Sequence, residues 1–478
     1  MQLRNLKMGR KKNYPLIERL EIVDVAAEGK SIGKHEGMVV FVPQVVPGDV
    51  VDIQVLRKRK NYMEGIVTNY HKFSDKRADP FCEHFGVCGG CKWQQLLYSE
   101  QLKYKQKQVT DSLERIAKVE IPEMFPIIPS DNMVHYRNKL EYTFSENRWL
   151  TEEEVNSNIE ITNRKALGFH IPGRFDRVLD IHRCHLQAEP SNHIRLAIKD
   201  FTLRNNFRFF DHAKQEGFLR TLTIRNTNEG EVMVILSFHE DKADKIESLM
   251  EFIVKKFPQI TSIMYVINPK GNDTLYDLDL ILYHGREYIT EAIGELQFKI
   301  GPKSFFQPNT TQALKLYNAA RDFADLKGNE TVYDLYTGIG TIALFLAKHC
   351  QHVTGIEQIP EAIEDAKNNA VINSIANASF VAGDIKNVMN DEFISTHCKP
   401  DVMFIDPPRA GMHGNVVEQV LKMMPGKVVY VSCNPATQAR DIQLMSEKYE
   451  LKKVQPVDMF PHTHHVENIV LMEIKQKI

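Results

Sequence analysis

From residue 300 onward the chain alternates short apolar runs with helix-like segments of roughly ten residues, and this rhythm restricts the possible folds more than any other feature. The runs are Thr331–Tyr336, Val353–Glu357, Ser379–Val381, Asp401–Ile405 and Lys427–Ser432. Strands separated by helices predict a doubly wound α/β domain with a parallel sheet. Such sheets bind ligands beyond the carboxyl ends of their strands. Each motif that carries chemistry in this half of the chain falls at such an end.

The first 72 residues read differently. Leu20–Val25, Gly37–Val42, Asp49–Val55 and Tyr62–Val67 are short alternating strands with turn residues between them, the pattern of a small OB-like barrel. This stretch holds 13 Lys/Arg against 8 Asp/Glu, although the whole chain carries a net charge of −2. The runs Arg10–Lys12 and Arg57–Lys60, the second at an expected hairpin tip, suit contact with phosphates, although a plain solvated surface reads the same way. Residues 73–300 are mostly β by pattern, with strands at Lys139–Phe144, Thr221–Arg225 and Val232–Ser237. A basic helix is expected over residues 96–118, carrying Lys103, Lys105 and Lys107, and an exposed hairpin or loop over 147–165. Three domains are expected: 1–72, 73–300 and 301–478. With 43% hydrophobic and 26% charged residues, the composition is that of a soluble globular protein. The chain shows no apolar run of about 20 residues and no secretory h-region, so the expected location is the cytoplasm, away from membranes.

The first strand of the α/β half ends in Asp334-Leu335-Tyr336-Thr337-Gly338-Ile339-Gly340-Thr341. Gly338 and Gly340 allow a tight turn and close backbone approach to a ligand. Glu357 ends the second strand, 19 residues beyond Gly338, where an acid accepts hydrogen bonds from ribose hydroxyls. Asp384 follows the third strand, placed to meet an adenine. A dinucleotide calls for the longer GxGxxG turn, and here no third glycine follows. S-adenosylmethionine has no pyrophosphate, so the shorter turn suits it better.

The fourth strand runs into Asp406-Pro407-Pro408-Arg409-Ala410-Gly411 and the fifth into Ser432-Cys433-Asn434-Pro435; His464-His465-Val466-Glu467-Asn468 lies near the C-terminus. A cysteine, a glutamate and an aspartate beside a methyl donor suit methylation at carbon. C5 of uracil is a poor nucleophile until a thiolate adds to C6; the C5 proton must then leave before the thiol is eliminated. That chemistry needs one nucleophile and one base. Cys433 and Glu467 match those roles. The ordinary reading of a cysteine at a strand end, a small buried hydrophobe, fits this neighbourhood less well.

These motifs, with Phe305-Phe306-Gln307-Pro308-Asn309, resemble the catalytic domain of the RNA uridine-5-methyltransferase family. The resemblance implies a Rossmann-like class I methyltransferase domain in which Gln307, Tyr336, Glu357 and Asp406 hold cofactor or uracil, Cys433 is the nucleophile and Glu467 the base. Thr341 stands where some relatives carry Asn against the cofactor.

Of seven cysteines, Cys82, Cys88, Cys91 and Cys184 form a group, with five residues between the first pair and two between the second. Four thiolates fit a tetrahedral zinc or a [4Fe–4S] cluster. Spacing does not decide, although it is unlike the paired CxxC knuckles of a zinc ribbon. The branch of the family that acts on 23S ribosomal RNA is similar in having this cysteine pattern with an N-terminal TRAM barrel. That likeness implies a [4Fe–4S] cluster in the central domain, a TRAM domain at the N-terminus and 23S rRNA as partner; the protein is expected to be a monomer. Cys350 and Cys398 match no motif and are expected to be packing residues. Three alternatives are weaker. A transfer-RNA T-loop enzyme of the same family usually lacks cluster and barrel. An RNA cytosine-5-methyltransferase would carry a second cysteine where Asp406-Pro407-Pro408 stand. A non-catalytic iron–sulfur RNA-binding protein has no need of Cys433 and Glu467.

Overall fold

A computed structural model describes residues 14–157 and 161–476; the Arg10–Lys12 run lies outside them. The chain divides into two compact units. One comprises residues 1–86, 90–104 and 462–464, the other residues 87–89, 105–461 and 465–478.

The first unit is built on a closed five-stranded barrel: Leu16–Val25, Ser31–His35, Met38–Val42, Val50–Lys58 and Tyr62–Lys72. Alternation turns Ile17, Leu20, Ile22, Val40, Val42, Val51, Ile53, Val55 and Met63 into one core. The pattern of apolar residues predicts only four of these strands. The fifth, Ser31–His35, buries Ser31 and Gly33, so its inward face carries no apolar period. The Arg57–Lys60 run does sit, exposed, at a hairpin tip closed by Arg59 N–H donating to Tyr62 O at 2.8 Å. Gly65 permits closure of the barrel: a side chain there would meet Ile53 and come within 2.8 Å of the Gln54 carbonyl oxygen.

Among its described residues the second unit contains two large sheets and a two-stranded one, Ile289–Ile293 with Leu296–Ile300. The central one has seven strands in the order Ile281–Gly285, Ser262–Ile267, Val232–Phe238, Leu219–Asn226, Lys139–Ser145, Ala166–Ile171 and Arg174–Asp180. Helices Ser191–Arg204 and Ala243–Lys256 join its core. Ile246, Leu249, Met250 and Ile253 recur at helical spacing and bury against Leu222, Val234 and Leu236. The stretch expected as hairpin or loop, 147–165, contains the short helix Glu152–Asn156, started by a capping box of Thr151 and Glu154. The expected basic helix runs Tyr98–Ser112 and ends in a π turn, Leu113–Ala117. Its Lys105 is no surface charge: it is fully buried and donates to Asp458 at 2.6 Å and to Phe460 O at 2.9 Å.

The other sheet carries eight strands, ordered Ala378–Ala382, His352–Glu357, Thr331–Leu335, Val402–Ile405, Lys427–Ser432, Glu467–Ile474, Tyr449–Val457 and Glu123–Met124. The first five are parallel, as the strand–helix rhythm predicts. Glu467–Ile474 then inserts antiparallel to both neighbours.

Candidate active site

The Ser-Cys-Asn-Pro motif is a strand-to-helix junction. Ser432 ends its strand, and Asn434 caps helix Pro435–Met445 by accepting the Ala436 N–H at 3.1 Å, with Pro435 in the first turn. Cys433 is pinned, half-buried, between strand and cap. The antiparallel register pairs Ser432 with Asn468, which brings Glu467 up beside Cys433. The register is locked by Gln438, which donates to Tyr430 O at 2.9 Å and Asn468 O at 3.1 Å and accepts from the Asn468 amide at 2.7 Å.

The Asp406–Gly411 loop is tied to the same junction. Asn434 and Thr437 side chains donate to Arg409 O at 3.1 and 3.2 Å. Gly411 has a φ of 77°, and a Cβ there would lie 2.6 Å from the Arg440 guanidinium and 2.7 Å from the Asp441 carboxylate. Those two groups hold the loop: Arg440 donates to Ala410 O and Met412 O, while buried Asp441 accepts from Met412 N–H and the Tyr430 hydroxyl. Sequence reasoning did not single out Arg440 and Asp441, which lie outside every recognisable motif.

The electrostatics follow from burial. Desolvation, with Asp406 nearby, pushes the Glu467 carboxyl up to about 8, against the opposing pull of Arg409. Desolvation, with Asp334, raises Asp406 to about 7. Burial, Glu467 and Asp406 together push the Cys433 thiol up to about 12, and Arg409 acts in the other direction. Cys433, Glu467, Asp406 and Arg409 therefore form one coupled group.

The cofactor motifs meet at neighbouring strand ends. Buried Asp334 organises the turn: one oxygen accepts from the Thr337 hydroxyl and, at 3.0 Å, from Ala343 N–H. Tyr336 takes up a left-handed φ of 66°, a cost usually kept for functional turns; its N–H and that of Thr337 donate to Ile356 O. The Glu357 carboxylate accepts from Gly338 N–H at 3.2 Å and Ile359 N–H at 3.1 Å. Each oxygen has a second lone pair with which to accept a further hydrogen bond. Asp384 caps a short helix and pairs with Lys386 at 2.9 Å, which holds its carboxyl below the usual range. Thr341 accepts a hydrogen bond from the Tyr317 hydroxyl at 3.1 Å. In the Phe-Phe-Gln-Pro-Asn motif, Phe306 and Gln307 are buried, and Asn309 caps helix Thr310–Ala324. A cavity of about 640 Å³ is bordered by Gly338, Ile339, Glu357, Ile359 and the exposed Phe305, a size suited to a nucleoside-bearing ligand.

Of the grouped cysteines, Cys88 and Cys184 pack against the same patch of Ile171, Leu179 and Ile181. Burial raises the Cys82 thiol, while the backbone N–H groups of His84 and Phe85 donate to it and oppose that shift. Cys350 is buried as expected; Cys398 is exposed, contrary to the expected packing role, at the C-terminal end of helix Asp391–His397.

Two family models match the chain: a TRAM domain over residues 17–68 and tRNA (Uracil-5-)-methyltransferase over residues 211–475. The chain belongs to this uracil-5-methyltransferase family. The methyltransferase is 54% identical to an uncharacterized RNA methyltransferase of Bacteroides thetaiotaomicron, over 94% of this chain and 100% of the relative. It is 52% identical to an uncharacterized RNA methyltransferase of Porphyromonas gingivalis, over 95% and 99%. Among solved structures it is similar to the Pyrococcus abyssi tRNA (uracil-54, C5)-methyltransferase in complex with S-adenosyl-L-homocysteine, at a TM-score of 0.72 and 27% identity, covering 95% of this chain and 100% of that one. The methyltransferase is thus an S-adenosylmethionine-dependent enzyme acting on RNA.

Proposed function

We propose that the enzyme methylates C5 of a uridine in 23S rRNA through a covalent bond from Cys433 to C6, with Glu467 as the base. The observation that carries the mechanism is the strand register that sets Glu467 beside Cys433, together with the burial that tunes both. A carboxyl poised near 8 suits removal of a carbon-bound proton near neutral pH. S-adenosylmethionine, held by Gln307, Tyr336, Gly338, Thr341, Glu357, Asp384 and Asp406, supplies the methyl group and a positive charge. The thiolate of Cys433 adds to C6, C5 becomes nucleophilic and takes the methyl group, Glu467 accepts the C5 proton, and the thiolate is expelled as the C5–C6 double bond re-forms. Asp406 and Arg409 bias the protonation of both groups.

Cys82, Cys88, Cys91 and Cys184 hold a [4Fe–4S] cluster in this reading. Four thiol donors and backbone N–H groups aimed at a ligand sulfur are the features such clusters use. The barrel, residues 1–72, holds RNA, and the α/β domain, residues 301–478, does the chemistry. The cysteine pattern combined with the barrel supports ribosomal RNA. A second reading, a tRNA T-loop uridine, is favoured by the likeness to the Pyrococcus abyssi tRNA enzyme, whose fold spans 95% of this chain; overall architecture therefore does not separate the two targets. The deciding experiment maps 5-methyluridine in rRNA and tRNA from a strain lacking this protein. Loss from 23S rRNA alone supports the first reading; loss from the T-loop with rRNA unchanged replaces it with the second.

A further inference from the structure

We propose that the barrel unit carries a pocket for an unpaired, amino-bearing base of the RNA, adenine being the best match, separate from the site that takes the target uridine. The inference rests on the reading that RNA is the substrate. A cavity of about 520 Å³ opens beside the last barrel strand, lined by Gln44, Tyr70, Phe73, Arg77, Asp79 and Gln95 among others. The rings of Tyr70 and Phe73 stack, with centroids 4.8 Å apart and planes within 22°. Phe73 is 63% exposed, which leaves ring surface for a further ring to contact. Exposed aromatic faces of this kind are how proteins hold unpaired bases.

The charges around the cavity select a base over a phosphate. The Arg77 guanidinium lies over both rings, 5.2 and 5.3 Å from their centroids, but its charge is already met. Asp49, fully buried, takes two hydrogen bonds from it, at 2.9 and 2.7 Å. Asp79, exposed on the lining, adds a further negative charge. What the cavity offers is acceptors. Gln95 is 4% exposed, and its Oε1 has no hydrogen-bond partner among the described residues. A buried acceptor left unmet is unfavourable, and a ligand amine would satisfy it. An amide side chain matched to N6 is the usual way proteins recognise adenine. The walls are held for the purpose: Gln44, at a left-handed φ of 62°, donates from its side chain to Gly86 O at 2.7 Å and accepts at its carbonyl from the Tyr70 hydroxyl at 3.3 Å.

The test uses the full-length protein with its cofactors. In Phe73→Trp, tryptophan fluorescence should be quenched by a short oligoadenylate through stacking, with roughly tenfold weaker quenching by oligouridylate, which lacks the amine that Gln95 would read. Gln95→Leu in the same background should erase that preference. Phe73→Ala should raise KM for structured RNA roughly tenfold while kcat at saturating RNA stays unchanged. No quenching by any oligonucleotide, or an unchanged KM in Phe73→Ala, overturns the pocket. Free adenosine monophosphate binding as tightly as the strand would make the ligand a nucleotide and also overturn it. The quenching requires no methyl transfer, so a failed methylation assay with intact base binding would count against the proposed reaction and leave the pocket standing.

Discussion

Ser432 and Asn468 stand opposite each other where strands Lys427–Ser432 and Glu467–Ile474 pair antiparallel, and the next step along each strand is Cys433 on one and Glu467 on the other. Two residues 34 positions apart in the chain become neighbours through one hydrogen-bonded register. A slip of one residue in that register would turn Glu467 to the opposite face of the sheet.

Replacing Cys433 with Ala should abolish methyl transfer, by about a thousandfold or more, while S-adenosylmethionine binding changes little. The thiol ends a strand beside the cofactor motifs, and no hydrogen bond of the glycine turn depends on it. Calorimetric titration of the cofactor and a methyl-transfer assay check the two halves; sustained turnover by Cys433→Ala would sink the covalent route.

Glu467→Gln should trap the enzyme on its RNA after methylation, since addition and methyl transfer proceed without the base and elimination does not. A slow-migrating, methylated protein–RNA band on a denaturing gel is the expected result. In the unmodified enzyme the working form is the carboxylate. A pKa raised to about 8 means that this form is scarce below that pH and full above it. The rate at which the adduct resolves should therefore climb roughly tenfold per pH unit from about pH 6 and level off past 8. A profile flat across that window would assign the proton transfer to another group.

Anaerobically purified protein should be brown and contain about four irons per chain, bound by Cys82, Cys88, Cys91 and Cys184. One zinc and no iron would refute the cluster. Single Cys→Ser changes should impair RNA binding or folding more than cofactor binding, because none of the four cysteines lies in the α/β domain.

Lys105→Ala should lower stability by about 3–5 kcal/mol, read by chemical denaturation, because it strips the ammonium from buried Asp458. RNA affinity should be unaffected. A variant as stable as the parent but weak on RNA would show that Lys105 serves RNA binding and not the fold.

Gly411→Ala should lower activity without unfolding the protein, since a methyl group there pushes on Arg440 and Asp441 and shifts the loop carrying Asp406 and Arg409. A cofactor KM and methyl-transfer rate both equal to those of the parent would show that the loop tolerates the displacement.

Local chemistry is what sequence records well. The parallel strands, the glycine turn after Asp334 and the strand-to-helix junction at Ser432–Pro435 were all legible, because each depends on residues adjacent in the chain: alternating or continuous apolar runs, a left-handed turn, an N-cap with proline behind it. The barrel strand Ser31–His35 escaped because its buried positions are Ser31 and Gly33, too small to mark a period. Nothing in the sequence sets Lys105 apart from Lys103 and Lys107, because burial is not a local property; only the approach of Asp458 from the far end of the chain removes it from the surface. The same holds for the site itself. The motifs named Cys433 and Glu467 separately, but their contact is a matter of strand register, and the raised pKa values of Glu467, Asp406 and Cys433 come from desolvation that exists only once the sheet and its loops have closed over them. Arg440 and Asp441, which shape the Asp406–Gly411 loop through space, belong to no pattern in the chain, and tertiary packing alone gave them their role.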